Sequence, residues 1–453
     1  MTFKPELLSP AGTIKNMRYA LAYGADAVYA GQPRYSLRVR NNDFTLENLA
    51  QGIHEAQGLG KQFYVASNLA PHNAKVKTYL RDIEPVIDMK PDALIMSDPG
   101  LIMMVREKWP EQVIHLSVQA NVVNYASLRF WYQQGIKRVI LSRELSLDEI
   151  EEMRQQCPEM ELEVFVHGAL CIAYSGRCLL SGYINKRDPN QGTCTNACRW
   201  EYQAHEAKED ESGDPMPIEP GIWVPPSDKI VTDQPPTLGE GGPTDKIYLL
   251  EEEGRPGQLM PAYEDEHGTY IMNSKDLRAI QHVERLTKMG IHSLKIEGRT
   301  KSHYYVARTA QTYRKAIDDA VAGKAFDKSL MNELENLANR GYTEGFYRRH
   351  VHDEYQNYEV GRSVGVHQQF VGEIQGIKEG RLVLRAKNKF AKGDSVQIMT
   401  PKGNLTFILD DIRLLKNGYD IDEVPGSDYE VTIGVDYELD TSVEQYGLMM
   451  KNL

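Results

Sequence analysis

Four of the five cysteines fall within one short window, at Cys171, Cys178, Cys194 and Cys198. Thiolates bind soft metals and attack electrophiles, so such a group suggests a metal centre or a nucleophilic site. Six residues separate the first two, fifteen the middle two and three the last two. Structural zinc sites usually pair their cysteines about two to four residues apart, and only Cys194 and Cys198 do so. The spacing also lacks the three-cysteine run of radical enzymes that use S-adenosylmethionine. A loop-borne iron–sulfur cluster tolerates irregular spacing, provided the thiolates converge. Three readings stand: an iron–sulfur cluster, a zinc site, or no metal. In the last, Cys171 is a nucleophile and His167, four residues before it, is its base; that would leave three cysteines without a role. Cys157, next to Pro158 at the end of a helical run, reads as structural.

The window opens where an apolar strand, Glu163 to His167, meets Gly168. Strand and helix patterns alternate up to that point and resume after it. Predicted strands begin at Glu6, Ala27, Phe63, Ala93, Val113, Arg138, Leu162 and His292, with Tyr270 to Asn273 as a rim piece. Helical runs lie between them, among them Ile14 to Tyr23, Thr45 to Leu59, Ala126 to Gln134, Leu147 to Gln156 and Tyr304 to Ala322. Mostly apolar strands imply a parallel sheet covered on both faces. Eight such units predict an α/β fold, a TIM-like (β/α) barrel over residues 1–350. No glycine-rich dinucleotide fingerprint follows the first strand.

An acidic, proline-rich insertion at 201–266 interrupts the alternation. It holds seventeen acidic and four basic residues and reads as a solvated loop or lid. The chain's net charge of −12 therefore comes from this segment, and the rest is close to neutral. That distribution leaves another face compatible with an RNA substrate. Short strands separated by Glu379-Gly, Lys402-Gly and Asn417-Gly turns predict a small all-β barrel domain at 358–445.

In a barrel of this kind, chemistry sits at the carboxyl ends of the strands. Those ends carry Arg38, Gln119, Asn121, Arg143, His167, Lys295, Glu297 and Arg299. The arginines suit carboxylate or phosphate, and Gln119 with Asn121 suits a base edge. The competing structural reading pairs Arg143 with Glu144 and Lys295 with Glu297. His54-Glu lacks the second histidine of a zinc protease, Ala173-Tyr-Ser-Gly is not a nucleophile elbow, and there is no nucleotide-triphosphatase phosphate loop. Neither a leader nor a long apolar run is evident, so reducing cytoplasm is the expected compartment and no membrane partner is expected.

The run from Glu163 through Gly168, Cys171, Gly176 and Cys178 to Ser181 resembles the signature of the collagenase-like peptidases of unassigned mechanism, peptidase family U32. Leu7 to Gly12, Tyr23 to Gly31, Ser181 to Asn190 and Ser293 to Thr300 extend the resemblance. Asn190 to Trp200 and Arg340 to Gly345 are most similar to its tRNA-hydroxylating bacterial members. The resemblance implies oxygen-independent formation of 5-hydroxyuridine at the wobble position of tRNA, with the anticodon loop as partner and prephenate, a small dicarboxylate, as co-substrate. It further implies a 4Fe–4S cluster held by Cys171, Cys178, Cys194 and Cys198. His167, Tyr174 and Glu297 are then the candidate reacting residues, with Tyr174 or Tyr183 to stack on the uridine. Arg38, Gln119, Asn121, Arg143, Lys295 and Arg299 are the candidate binding residues. A peptidase and a non-catalytic tRNA-presenting subunit are the competing functions.

Overall fold

The computed structural model describes residues 3–37, 43–171, 173–178, 190, 275–337, 339, 341–348, 368–435 and 441–453, and the backbone only of 202–209, 215–217, 247–252, 259–262, 264–265 and 268–269. Arg38, Tyr183, Cys194, Cys198 and the rim piece at 270–273 lie outside the described residues.

Eight parallel strands close a barrel. They are β1 (Glu6–Pro10), β2 (Ala27–Gly31), β3 (Gln62–Ser67), β4 (Ala93–Met96), β5 (Ile114–Leu116), β6 (Arg138–Ile140), β7 (Glu161–Ala169) and, after β8 (Asp276–Arg278), β9 (Ser293–Ile296). Closure comes from β9, which pairs in parallel with both β1 and β7. The short β8 runs antiparallel along the end of β7 and lies outside the ring. Helices cover the outside: α1 (Ile14–Ala22), α2 (Leu46–Gly58), α3 (Asn73–Asp88), α4 (Pro99–Lys108), α5 (Tyr125–Gln133), α6 (Leu147–Gln156), α7 (Val283–Lys288) and α8 (His303–Val321).

Local sequence sets these boundaries. The side chains of Thr13, Thr45, Asp98, Asn124, Ser146 and Ser302 each accept a backbone N–H at a helix start, and Ser146 forms a full capping box with Glu149. The strands are apolar along their whole length because one face meets the helices and the other fills the barrel.

The amino-terminal end of the barrel is closed by charge. Arg138 reaches Glu6 at 2.6 Å, Glu161 at 2.9 Å and Glu163 at 3.4 Å. The Tyr64 hydroxyl and the Ser293 hydroxyl also donate to Glu6, at 2.6 and 2.8 Å. Such a network is tolerated inside a protein because each charge finds a partner.

The described backbone of the insertion forms a four-stranded antiparallel sheet, ordered Leu259–Ala262, Ile247–Glu252, Tyr202–Glu209, Pro215–Pro217. Composition predicted a solvated loop or lid there. The acidic average concealed short apolar runs such as Ile247 to Leu250, which pair as strands.

The C-terminal region is a separate β domain. Its sheet is antiparallel and contains β10 (Gln368–Lys378), β11 (Arg381–Ala386), β12 (Ser395–Thr400), β13 (Gly403–Ile408), β14 (Ile412–Leu414), β15 (Glu430–Ile433) and β16 (Leu448–Asn452). It wraps its own core, which includes Phe390, Val396, Ile398 and Val431. Sequence reading ended this domain at 445, yet β16 lies inside the sheet, between β12 and β10. The domain sits against α1 and α8. There Glu373 lies 2.6 Å from Lys15 and 3.0 Å from His303, and buried Arg308 donates to Gln397 at 2.7 Å. Met399, Leu448 and Met450 join the barrel's own core across this seam.

Candidate active site at the barrel mouth

A cavity of about 70 Å³ opens at the carboxyl ends of the strands. Six of the residues singled out from sequence line it: Gln119, Arg143, Cys171, Lys295, Glu297 and Arg299. Tyr29, Phe165 and Ile95 supply its apolar wall.

Lys295 and Glu297 lie two apart on the strand line of β9 and both turn inward, as the two-residue period of a strand requires. They do not pair with each other. Lys295 is 2.8 Å from Glu163, deeper in the barrel. Glu297 faces Arg143 at 3.6 Å and the Tyr29 hydroxyl at 3.4 Å. Glu144 accepts from Ser142 at 2.5 Å. Both expected pairs are therefore replaced by pairs across the barrel, which sequence adjacency does not reveal.

The three cations are held in different ways. The Arg143 guanidinium lies 3.8 Å from the Phe165 ring centre and donates to the Ala169 carbonyl at 3.0 Å. Its Nε has no hydrogen-bond partner among the described residues. Arg299 donates to the Ser36 hydroxyl and the Leu37 carbonyl, both at 2.7 Å. Gly31 makes room for it, since a Cβ there would lie 2.5 Å from Arg299 Nη1. Lys295 is enclosed by Tyr29 and Phe165, with ring centres 4.3 and 5.5 Å from Nζ. The lining gathers three cations, Lys295 backed by Glu163 from below and Arg143 facing Glu297, around one volume. It is suited to an anion, and to a dicarboxylate in particular.

His167 is absent from this lining, contrary to the expectation that it would serve Cys171 as a base. The register of β7 against β9 shifts between Lys295 and Ile296, so that His167 pairs with Ile296. One extra residue in β7 reverses the alternation, and the ring turns outward. It packs among Tyr305, Tyr313 and Tyr342 and is 1% exposed. Burial pushes its pKa down to about 3. The Tyr313 hydroxyl donates to the Val166 carbonyl at 2.6 Å and the Tyr347 hydroxyl to the Phe165 carbonyl, which fixes the bulge.

Beyond the bulge, Gly168 adopts φ +108°, and a Cβ there would come within 2.4 Å of the Glu297 carbonyl oxygen. Only glycine lets β7 pass so close to the end of β9. The chain then enters the cysteine loop. Cys171 is exposed at the cavity and Cys178 is half-buried. Asn121, in the left-handed conformation at φ +50°, donates its amide to the Ser175 carbonyl at 2.6 Å. Asn121 therefore holds the loop, where sequence reading had it contact a base. Asn190 donates to the Cys178 carbonyl at 3.0 Å, and its own carbonyl accepts from the Ala70 N–H at 3.1 Å. Tyr174 stands at the rim, 52% exposed. Cys157 is buried in the core, as expected.

Sequence reading missed Glu163 and Tyr29. A charged residue at an inward position of an otherwise apolar strand was the available signal for Glu163.

No described helix is long and apolar enough to cross a membrane. The description Peptidase family U32 matches residues 12–357, and Peptidase family U32 C-terminal domain matches residues 367–449. The tRNA hydroxylation protein P of Escherichia coli is 65% identical, over 99% of this chain and 97% of that protein. The tRNA hydroxylation protein P1 of Bacillus subtilis is 33% identical, over 89% of this chain and 85% of that protein. A collagenase of Porphyromonas gingivalis is 27% identical, over 76% of this chain and 73% of that protein. With both family regions matched in order along the barrel and the β domain, the chain belongs to peptidase family U32.

Proposed function

We propose that this chain is a tRNA-modifying hydroxylase. It forms 5-hydroxyuridine at the wobble position without molecular oxygen, with prephenate as co-substrate and a 4Fe–4S cluster held by Cys171, Cys178, Cys194 and Cys198. The observation that carries this reading is the near full-length likeness to the tRNA hydroxylation protein P of Escherichia coli.

The cavity supports it chemically. A dicarboxylate needs two cationic contacts, and Arg143, Lys295 and Arg299 stand around one small volume. Glu297, the acidic group of the lining, is placed to carry a proton at Oε2 and is oriented by Arg143. An anticodon-loop uridine is single-stranded and enters a pocket without opening a duplex. The exposed Tyr174 ring at the rim is suited to stack on it. The two described cysteines fit the cluster by lying on the loop beside the cavity, Cys171 in its wall; the other two lie outside the described residues. When bound, the cluster supplies electron transfer or an open iron position near the substrate.

The relation to a collagenase keeps a peptidase in view. Against it, the histidine nearest Cys171 in sequence points away from the cavity and is neutral.

Mass analysis of tRNA nucleosides from cells lacking the gene tests the proposal. Loss of 5-hydroxyuridine-derived wobble nucleosides is expected, restored by the wild-type gene and not by a copy lacking the four cysteines. Unchanged nucleosides would sink it.

A further inference from the structure

The most confined charge at the cavity is Lys295, 3% exposed. Its ammonium has three N–H groups. Glu163 Oε1 takes one at 2.8 Å, and no other hydrogen-bond acceptor is found for it among the described residues. The remaining surface of the ammonium faces the Tyr29 and Phe165 rings and the cavity. A buried ammonium with unspent donors costs free energy unless a counter-charge holds it and an acceptor arrives.

Glu163 is that counter-charge, and it is fully buried. Its second oxygen, Oε2, lies 3.4 Å from Arg138, which Glu6 and Glu161 also neutralise. Glu163 thus stands between the closed network of the barrel floor and the open charge of the cavity. The other charged or titratable groups that face this region are Tyr64 on β3, beside Glu163 and Arg138, His115 on β5, Tyr29 on β2, Glu297 and Arg299 beyond β9, and Arg143 beyond β6. None of these hydrogen-bonds to Lys295 among the described residues; Glu163 does.

We propose that Glu163 is a positioning residue: it keeps Lys295 charged and aimed upward, so that Lys295 forms the innermost contact for a carboxylate of the co-substrate. This rests on the reading of the cavity as a dicarboxylate pocket. Glu163 touches no substrate itself and acts through Lys295.

Two measurements on the full-length, anaerobically prepared protein test it. The first is prephenate affinity by calorimetry for wild type, Glu163→Gln, Lys295→Met and the double variant. Glu163→Gln should bind roughly ten to a hundred times more weakly, and adding Lys295→Met to it should cost little more. The second is melting temperature against pH without ligand. Deprived of its counter-charge, Lys295 in Glu163→Gln has a lowered pKa. The folded state then binds fewer protons than the unfolded state, so this variant should gain stability relative to wild type as pH rises from about 6 to about 9. The double variant, with no amine, should follow wild type. A Glu163→Gln melting profile parallel to wild type overturns the claim that Glu163 keeps Lys295 charged. Unchanged affinity in Glu163→Gln overturns the claim that it aims Lys295. If wild type itself binds no prephenate, the dicarboxylate reading falls, and the melting profile alone decides on the pair.

Discussion

At the floor of the barrel, Arg138 faces three carboxylates, Glu6, Glu161 and Glu163. At the mouth, Arg143, Lys295 and Arg299 face a cavity to which one carboxylate, Glu297, contributes. The same residue types serve both ends, yet the balance differs. Floor charges are spent on each other and close the barrel. At the mouth, Lys295 leans on Glu163 and Arg143 on Glu297, yet the Lys295 ammonium keeps donors unspent among the described residues beside the cavity. A charge near a strand end therefore indicates binding only once its partners across the barrel are known.

The largest effect should come from breaking the floor. Arg138→Ala leaves buried carboxylates uncompensated and should cost about 3–5 kcal/mol in denaturant unfolding. Replacing the group together with apolar residues of similar volume should cost much less, because no orphaned charge remains. Equal losses in both would contradict a charge-driven floor.

The mouth should respond the other way. Arg143→Ala removes a cation stacked on Phe165 and should destabilise by only about 1 kcal/mol, while wobble modification per folded molecule falls at least about tenfold. Arg143→Lys should recover little, since an ammonium cannot reproduce the stacked, forked guanidinium. Full recovery with lysine would reduce Arg143 to a point charge.

A third contrast is the seam between the domains. The His303 contact, with help from Lys15, holds the Glu373 carboxyl down at about 2. With the folded value below the usual carboxylate range, this cluster contributes stability at neutral pH. That contribution is lost as pH falls from about 4.5 toward about 2. Melting of wild type should therefore be steeper than that of Glu373→Gln in this acid window. Parallel curves would remove the seam from the acid response.

The smallest effect is expected at His167. Because its ring is buried and neutral, His167→Phe should leave the pH profile of the modification unchanged per folded molecule. Loss of a titrating limb would return His167 to the site.

Much of the barrel was legible because parallel strands buried on both faces are apolar along their length, and because capping residues such as Ser146 and Ser302 mark helix starts. Gln119, Arg143, Cys171, Lys295, Glu297 and Arg299 were legible as a group because they follow strand ends. His167 was misplaced because a bulge reverses strand alternation without changing composition. Glu163 was missed because its partners, Lys295 and Arg138, come from other strands. The last strand, Leu448–Asn452, resembles a terminal tail until the sheet on either side of it is seen.

One measurement bears most directly on the account. In cells lacking the gene, wobble 5-hydroxyuridine-derived nucleosides would be quantified per molecule of soluble protein after complementation with wild type, Arg143→Ala or an apolar floor variant at Glu6 and Arg138. The account predicts that the mouth variant is abundant and fails to modify tRNA, whereas the floor variant is less abundant and modifies it at the wild-type rate per molecule. Full modification by Arg143→Ala would contradict it.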